Sequence, residues 1–139
     1  MRKREPVRNI MTHQPFSLQI NKGLHEAEKL FKKHKIRHLP VVEGDQIKGV
    51  LSLTDLKRIS FVDAYDPNED TLDPSVYSLF TLDQVMVSNP VTIDPNTPIL
   101  EVDELFSKSE FHSAPVVEDG IMVGIVTTTD LIRFLIDQY

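Results

Sequence analysis

Cysteine and tryptophan are both missing from the 139 residues, and glycine occurs only 5 times. Without a thiol there is no disulfide framework, no thiolate nucleophile and no cysteine-ligated metal centre. No apolar run approaches the roughly 18 residues that a membrane-spanning helix needs. The opening Met1-Arg2-Lys3-Arg4-Glu5-Pro6 is not followed by the apolar stretch of a secretory signal. A cytoplasmic protein without a membrane anchor is expected. Of the histidines His13, His25, His34, His38 and His112, none belongs to an H-E-x-x-H pattern, and His25-Glu26 lacks the second histidine. His34 and His38 are four apart, but Lys35-Ile36-Arg37 fall where a helix should be ending. G-x-S-x-G and Walker sequences are absent as well. Catalytic residues, a bound metal and a catalytic cofactor are therefore not expected, and the chain reads as a non-enzyme.

With 40% hydrophobic and 26% charged residues, the composition is that of one compact domain with one core. The net charge of −6 argues against a polyanionic partner such as nucleic acid. That average conceals a division, because residues 7–59 carry +5, residues 60–81 carry −5 and residues 82–134 carry −7. Lys29, Lys32, Lys33, Lys35 and Arg37 crowd one stretch, mostly opposite Leu30 and Phe31. They read as a solvated helix face, with docking to an acidic partner as the alternative.

Sliding the sequence by 75 positions aligns residues 7–59 with 82–134 without a gap, giving 16 identities over 53 positions. Ile10-Met11 falls on Val85-Met86, and Pro40-Val41-Val42-Glu43 on Pro115-Val116-Val117-Glu118. Gly49 meets Gly124, Thr54-Asp55-Leu56 meets Thr129-Asp130-Leu131, and Arg58 meets Arg133. The chain is a tandem duplication, with one repeat at 7–59 and a second at 82–135. Between them, residues 60–81 hold Asp63, Asp66, Glu69, Asp70 and Asp73 but no Lys or Arg. This acidic segment reads as a solvated connector, with one turn of helix near Ser75 to Phe80.

Each repeat predicts the order β-α-β-β-α. Phe16-Ser17-Leu18 and Val91-Thr92-Ile93 are short strands following Pro15 and Pro90. Leu24, Ala27, Leu30, Phe31 and His34 recur at helical spacing, as do Ile99, Val102, Leu105, Phe106 and Ser109. Thr97-Pro98 reads as an N-cap followed by a proline at the first helical position. Leu39 to Val42 with Ile47 to Ser52, and Ala114 to Val117 with Ile121 to Thr127, are hairpins around Gly44-Asp45 and Asp119-Gly120. A last helix starts near Thr54 and again near Thr129. A three-stranded unit of about 53 residues is marginal alone, so the expected α/β (α+β) architecture packs two such units sheet to sheet about a pseudo-twofold axis. Ligand crevices are then expected where the copies meet.

The most informative spacing is Ser52-Leu53-Thr54-Asp55, repeated as Thr127-Thr128-Thr129-Asp130. A hydroxyl three residues before a carboxylate, where a strand feeds a helix, is close to a capping box. The same geometry offers helix N–H groups to a phosphate and a carboxylate to the two hydroxyls of a ribose. Neither use excludes the other. A helix terminus contributes up to about 2 kcal/mol to an anion, whereas micromolar affinity needs roughly 8 kcal/mol, so further donors must converge. Arg37-His38-Leu39-Pro40 and His112-Ser113-Ala114-Pro115 precede the second strands. The Arg37 guanidinium could grip a phosphate, and Leu39, Ala114, Ile10 and Val85 could sandwich a base. Alternatively, Arg37 and the histidines decorate a solvated strand entry.

Two copies of M-x-x-x-P, an amphipathic helix, an h-P-V-V hairpin and G-h-h-[ST]-x-[ST]-D-L resemble the tandem cystathionine-β-synthase (CBS) domain pair, or Bateman module, over nearly the whole chain. The resemblance implies an adenosyl ligand, such as AMP, ADP, ATP, S-adenosylmethionine or NAD, in clefts between the repeats. It implies ribose contacts from Asp55 and Asp130 and phosphate contacts from Ser52 and Thr127. Arg37, His38 and His112 become candidate phosphate ligands, and Ser17, Thr92, Leu39 and Ala114 are placed near the base. It also implies a homodimer. The expected role is a stand-alone regulatory module signalling through dimer conformation to an effector protein, without nucleic acid or membrane. The alternative is a ligand-independent dimeric scaffold or protein-interaction module.

Overall fold

The computed structural model describes residues 4–64 and 77–139, with residues 60–64 described as helical backbone alone. Along the chain run a 3-10 turn (Val7–Asn9), β1 (Thr12–His13), β2 (Leu18–Gln19), α1 (Leu24–His34), β3 (His38–Glu43), β4 (Gln46–Ser52) and α2 (Leu53–Ala64). Then follow α3 (Leu82–Val85), β5 (Val87–Ser88), α4 (Ile99–Ser107), β6 (Ser113–Glu118), β7 (Ile121–Thr127) and α5 (Thr128–Asp137). The acidic side chains expected on the connector lie outside the described residues. Of the turn expected near Ser75 to Phe80, only Tyr77 to Phe80 are described.

The chain is mixed α/β and divides into two compact units. A central unit takes Phe16–Asn89, and a terminal unit takes Met1–Pro15 together with Pro90–Tyr139. The expected single core is thereby corrected. One cluster gathers Leu18, Leu24, Phe31, Leu39, Leu51, Leu56, Leu82 and Met86. Another gathers Val7, Met11, Ile93, Ile99, Val102, Val116, Val126 and Leu131. Each buried side chain of this size contributes about 1.5–3 kcal/mol.

The two hairpins obey the same register. His38 faces Ser52 and Leu39 faces Leu51, just as Ser113 faces Thr127 and Ala114 faces Val126. Each ladder shifts register between paired valines, Val41/Val42 and Val116/Val117. The turns differ: Asp119 and Gly120 both have positive φ, whereas in the first hairpin only Gly44 does.

The first strands are shorter than expected. In the central unit β2 covers Leu18 and Gln19, parallel to β3 with Leu18 opposite Val41. In the terminal unit Val91 and Thr92 are not strand, and Ile93 makes an isolated bridge to Val116. The cause is one residue. The Ile20 N–H donates to the Val42 carbonyl at 2.8 Å, and the corresponding residue of the second repeat is Pro95, which has no N–H. The start of α4 is also corrected. Pro98 is itself the N-cap, in extended conformation, and helix begins at Ile99. Val7 and Ile99 donate backbone bonds to the Thr97 and Glu5 carbonyls, each at 2.8 Å, which holds Pro98 extended.

Strands β1 and β5 were not expected, and each belongs to the sheet of the other repeat. The sheet orders are β2-β3-β4-β5 and β1-β7-β6. Segment 7–15, the beginning of the first repeat, completes the unit built from the second, and segment 82–89 completes the unit built from the first.

Candidate functional site

In both units the junction from hairpin to last helix is built alike. The Ser52 Oγ accepts the Asp55 N–H at 3.0 Å, and the Thr127 Oγ1 accepts the Asp130 N–H at 3.2 Å. The first helical amides, of Leu53 and Thr128, donate to the carbonyls of Arg37 and His112, both at 2.9 Å. Each strand entry is thus fastened to the start of a helix, and two orphan N–H groups of that helix are satisfied.

Strand directions bring further candidates to the same end of each sheet. Because β2 runs parallel to β3 with Leu18 opposite Val41, Ser17 precedes β2 at the end where His38 begins β3 and Ser52 ends β4. In the terminal unit the Ile93–Val116 bridge places Thr92 at the end where Ser113 begins β6 and Thr127 ends β7. Ser17, Arg37, Thr92 and His112 are exposed; His38, Ser52, Asp55, Thr127 and Asp130 are half-buried. Leu39 and Ala114 are fully buried in the two cores, so their side chains present no surface to a ligand. Ile10 and Val85 also pack against those cores, one in each unit.

The aspartates differ in their partners. The Asp130 Oδ2 accepts from the Thr127 N–H at 2.9 Å and from the Thr127 hydroxyl at 3.1 Å, completing a reciprocal capping box. The Asp55 Oδ1 instead accepts from Arg58 Nη1 at 3.2 Å. The sequence marks Arg58 only as a residue repeated at Arg133. The central unit also stacks the half-exposed Phe16 on His34, ring centroids 3.6 Å apart and 12° from parallel. The second repeat has Val91 and Ser109 at those positions. Among the described residues no cluster of three or more His, Asp or Glu could hold a metal ion. No helix among them is long and apolar enough to cross a membrane.

The CBS domain family model matches this chain twice, at residues 7–61 and 82–137. A CBS domain-containing protein of Dictyostelium discoideum is 31% identical over 134 residues, covering 94% of this chain and 90% of that protein. An L-aspartate semialdehyde sulfurtransferase of Methanocaldococcus jannaschii is 30% identical over 129 residues; the match covers 91% of this chain but only 22% of the enzyme. Among solved structures, the CBS domain pair of protein MJ0100, in complex with 5′-methylthioadenosine and S-adenosyl-L-methionine, superposes with a TM-score of 0.79 at 26% identity. That alignment covers 97% of this chain and 98% of the other. CBSX2 in complex with AMP shares the fold, with a TM-score of 0.78 at 21% identity over 96% of this chain and 97% of its own. The chain belongs to the CBS domain family and carries the domain in tandem.

Proposed function

We propose that this CBS pair is a regulatory module that binds an adenosyl compound at the hydroxyl–aspartate ends of its two sheets. The supporting observation is that each repeat joins a hydroxyl and a helix N-terminus to a strand entry through the same hydrogen bonds, with an aspartate in the first turn of that helix. The relative solved with 5′-methylthioadenosine and S-adenosyl-L-methionine matches nearly the full length. Those two ligands have the adenosine portion in common, which makes ribose and base the shared recognition elements. Asp55 and Asp130 accept ribose hydroxyls, while Ser52 and Thr127 with their helix starts face an anionic group. Arg37, His38 and His112 are the phosphate ligands where the ligand has phosphates, as in AMP, ADP, ATP or NAD. Ser17 and Thr92, with the backbone at Leu39 and Ala114, lie towards the base.

Regulation requires the ligand to favour one conformation over another. A homodimer is the proposed reader of that change. Ile132 and Ile136 are 51% and 62% exposed on α5, four residues apart and so on one face, with Leu135 beside them. The proposed role is non-catalytic, since the sulfurtransferase likeness occupies only 22% of that enzyme. The same apolar face favours a second reading, a ligand-independent dimeric scaffold. A thermal-shift series with AMP, ADP, ATP, S-adenosylmethionine and NAD decides between them, because a ligand bound to the native state raises its stability by mass action. A rise with at least one of these is expected. None at millimolar concentration favours the scaffold.

A further inference from the structure

Thr54-Asp55-Leu56-Lys57-Arg58 and Thr129-Asp130-Leu131-Ile132-Arg133 differ at one position, yet their aspartates take different partners. Asp130 is turned back onto its own helix start, where one oxygen accepts both the amide and the hydroxyl of Thr127. Asp55 is turned forward along α2 to Arg58 and makes no bond to the amide of Ser52 among the described residues. Arg133 makes no ion pair among those residues. An ionised carboxylate has about four acceptor sites. With Arg58 on Oδ1, the other oxygen of Asp55 stays available, beside a Ser52 hydroxyl that accepts from the helix. The Asp130 arrangement spends Oδ2 twice on the protein itself.

Building on the adenosyl-binding reading, we propose that Arg58 is a positioning residue for Asp55. By holding one carboxylate oxygen it keeps the group off its own cap and turned to accept the paired hydroxyls of a ribose. The Asp130 half-site lacks this hold, its carboxylate being oriented by the bonds from Thr127 instead. Arg58 is 67% exposed, so its side chain can be changed without disturbing the core.

The test is calorimetric titration of AMP and of adenosine in an Asp130→Asn background, where binding reports on Asp55. Arg58→Gln is expected to weaken both ligands equally, by about two- to fivefold, the range of an exposed ion pair. The ligand-free Tm should fall no further than in Asp55→Ala, and Arg58→Lys should retain most of the affinity. A loss confined to AMP would assign Arg58 to the phosphate and overturn the proposal, as would a ligand-free Tm well below that of Asp55→Ala. An unchanged affinity in Arg58→Gln, with Asp55→Asn still losing binding, would overturn the positioning role alone. Asp55→Asn without effect on either ligand would remove the underlying ribose site as well.

Discussion

Met86 covers Gly49 so closely that a Cβ on the glycine would overlap its sulfur. The second repeat mirrors this, with Met11 against Gly124, where an added Cβ would lie 2.6 Å from the sulfur and 2.8 Å from the Thr12 carbonyl oxygen. In each case the methionine comes from the beginning of one repeat and the glycine from the hairpin of the other. The missing side chain makes the slot in which the exchanged segment is seated.

The two glycines should not tolerate alanine equally. At Gly49 the obstruction is a flexible methionine side chain, which can shift. At Gly124 it includes backbone that is paired in the β1–β7 ladder. Gly124→Ala is expected to cost about 1–3 kcal/mol and Gly49→Ala less, measured by urea denaturation. Equal losses would contradict the distinction.

Removing the carboxylates should separate the two caps in the absence of ligand. Asp130→Ala deletes a reciprocal capping box and is expected to lower stability by about 1 kcal/mol. Asp55→Ala removes a pairing to an exposed arginine and should cost under about 1 kcal/mol. Chemical denaturation of the two variants checks the order, and a larger loss at Asp55 would reverse it.

Two carboxylates should move stability in opposite directions with pH. Glu26 accepts the Gly23 N–H at 2.8 Å, and bonds from the Gly23 and Glu26 backbone hold its carboxyl below the usual range. Its stabilisation is complete above the unfolded-state value and is lost as the pH falls through the lowered native one. Glu26→Gln should therefore be slightly destabilising near neutrality and indistinguishable from wild type in acid. Asp103 is raised by burial. Its native form favours the proton, so stability is lost as the pH rises through its native value. Asp103→Asn should raise Tm near neutrality, with the gain vanishing in acid. Melting curves across the acidic range test both signs.

If the exposed face of α5 is the dimer contact, a charge placed there should separate the subunits. Ile136→Glu is expected to shift sedimentation from dimer to monomer with little loss of monomer stability, since Ile136 is 62% exposed. A wild-type protein that is monomeric at high concentration would refute the contact.

The hairpins and, to within a residue, the starts of α2 and α5 could be read from the chain because they depend on neighbours in sequence. Alternating apolar residues, an Asp-Gly turn and a hydroxyl before an aspartate are sufficient. What escaped that reading was long-range. The loss of β2's counterpart in the second repeat turns on Pro95 being unable to donate to a strand more than 20 residues away. The burial of Leu39 and Ala114 follows from which sheet face is covered, which the local sequence does not state. Arg58 stood out as a repeated residue, but nothing in the sequence told which partner Asp55 would choose.

By itself, then, the sequence determined a duplicated order of strands and helices, because helical and strand periods, turns and caps act over a few residues. Tertiary structure decided which hairpin each two-residue strand would join. So short a segment has almost no preference of its own, and a glycine at the same position of either hairpin leaves room for its methionine. Tertiary structure also decided the carboxylates, turning one to its own helix start and the other to an arginine within nearly identical stretches of chain. Those two states differ by about the energy of a single exposed hydrogen bond or ion pair, an amount that local sequence does not fix.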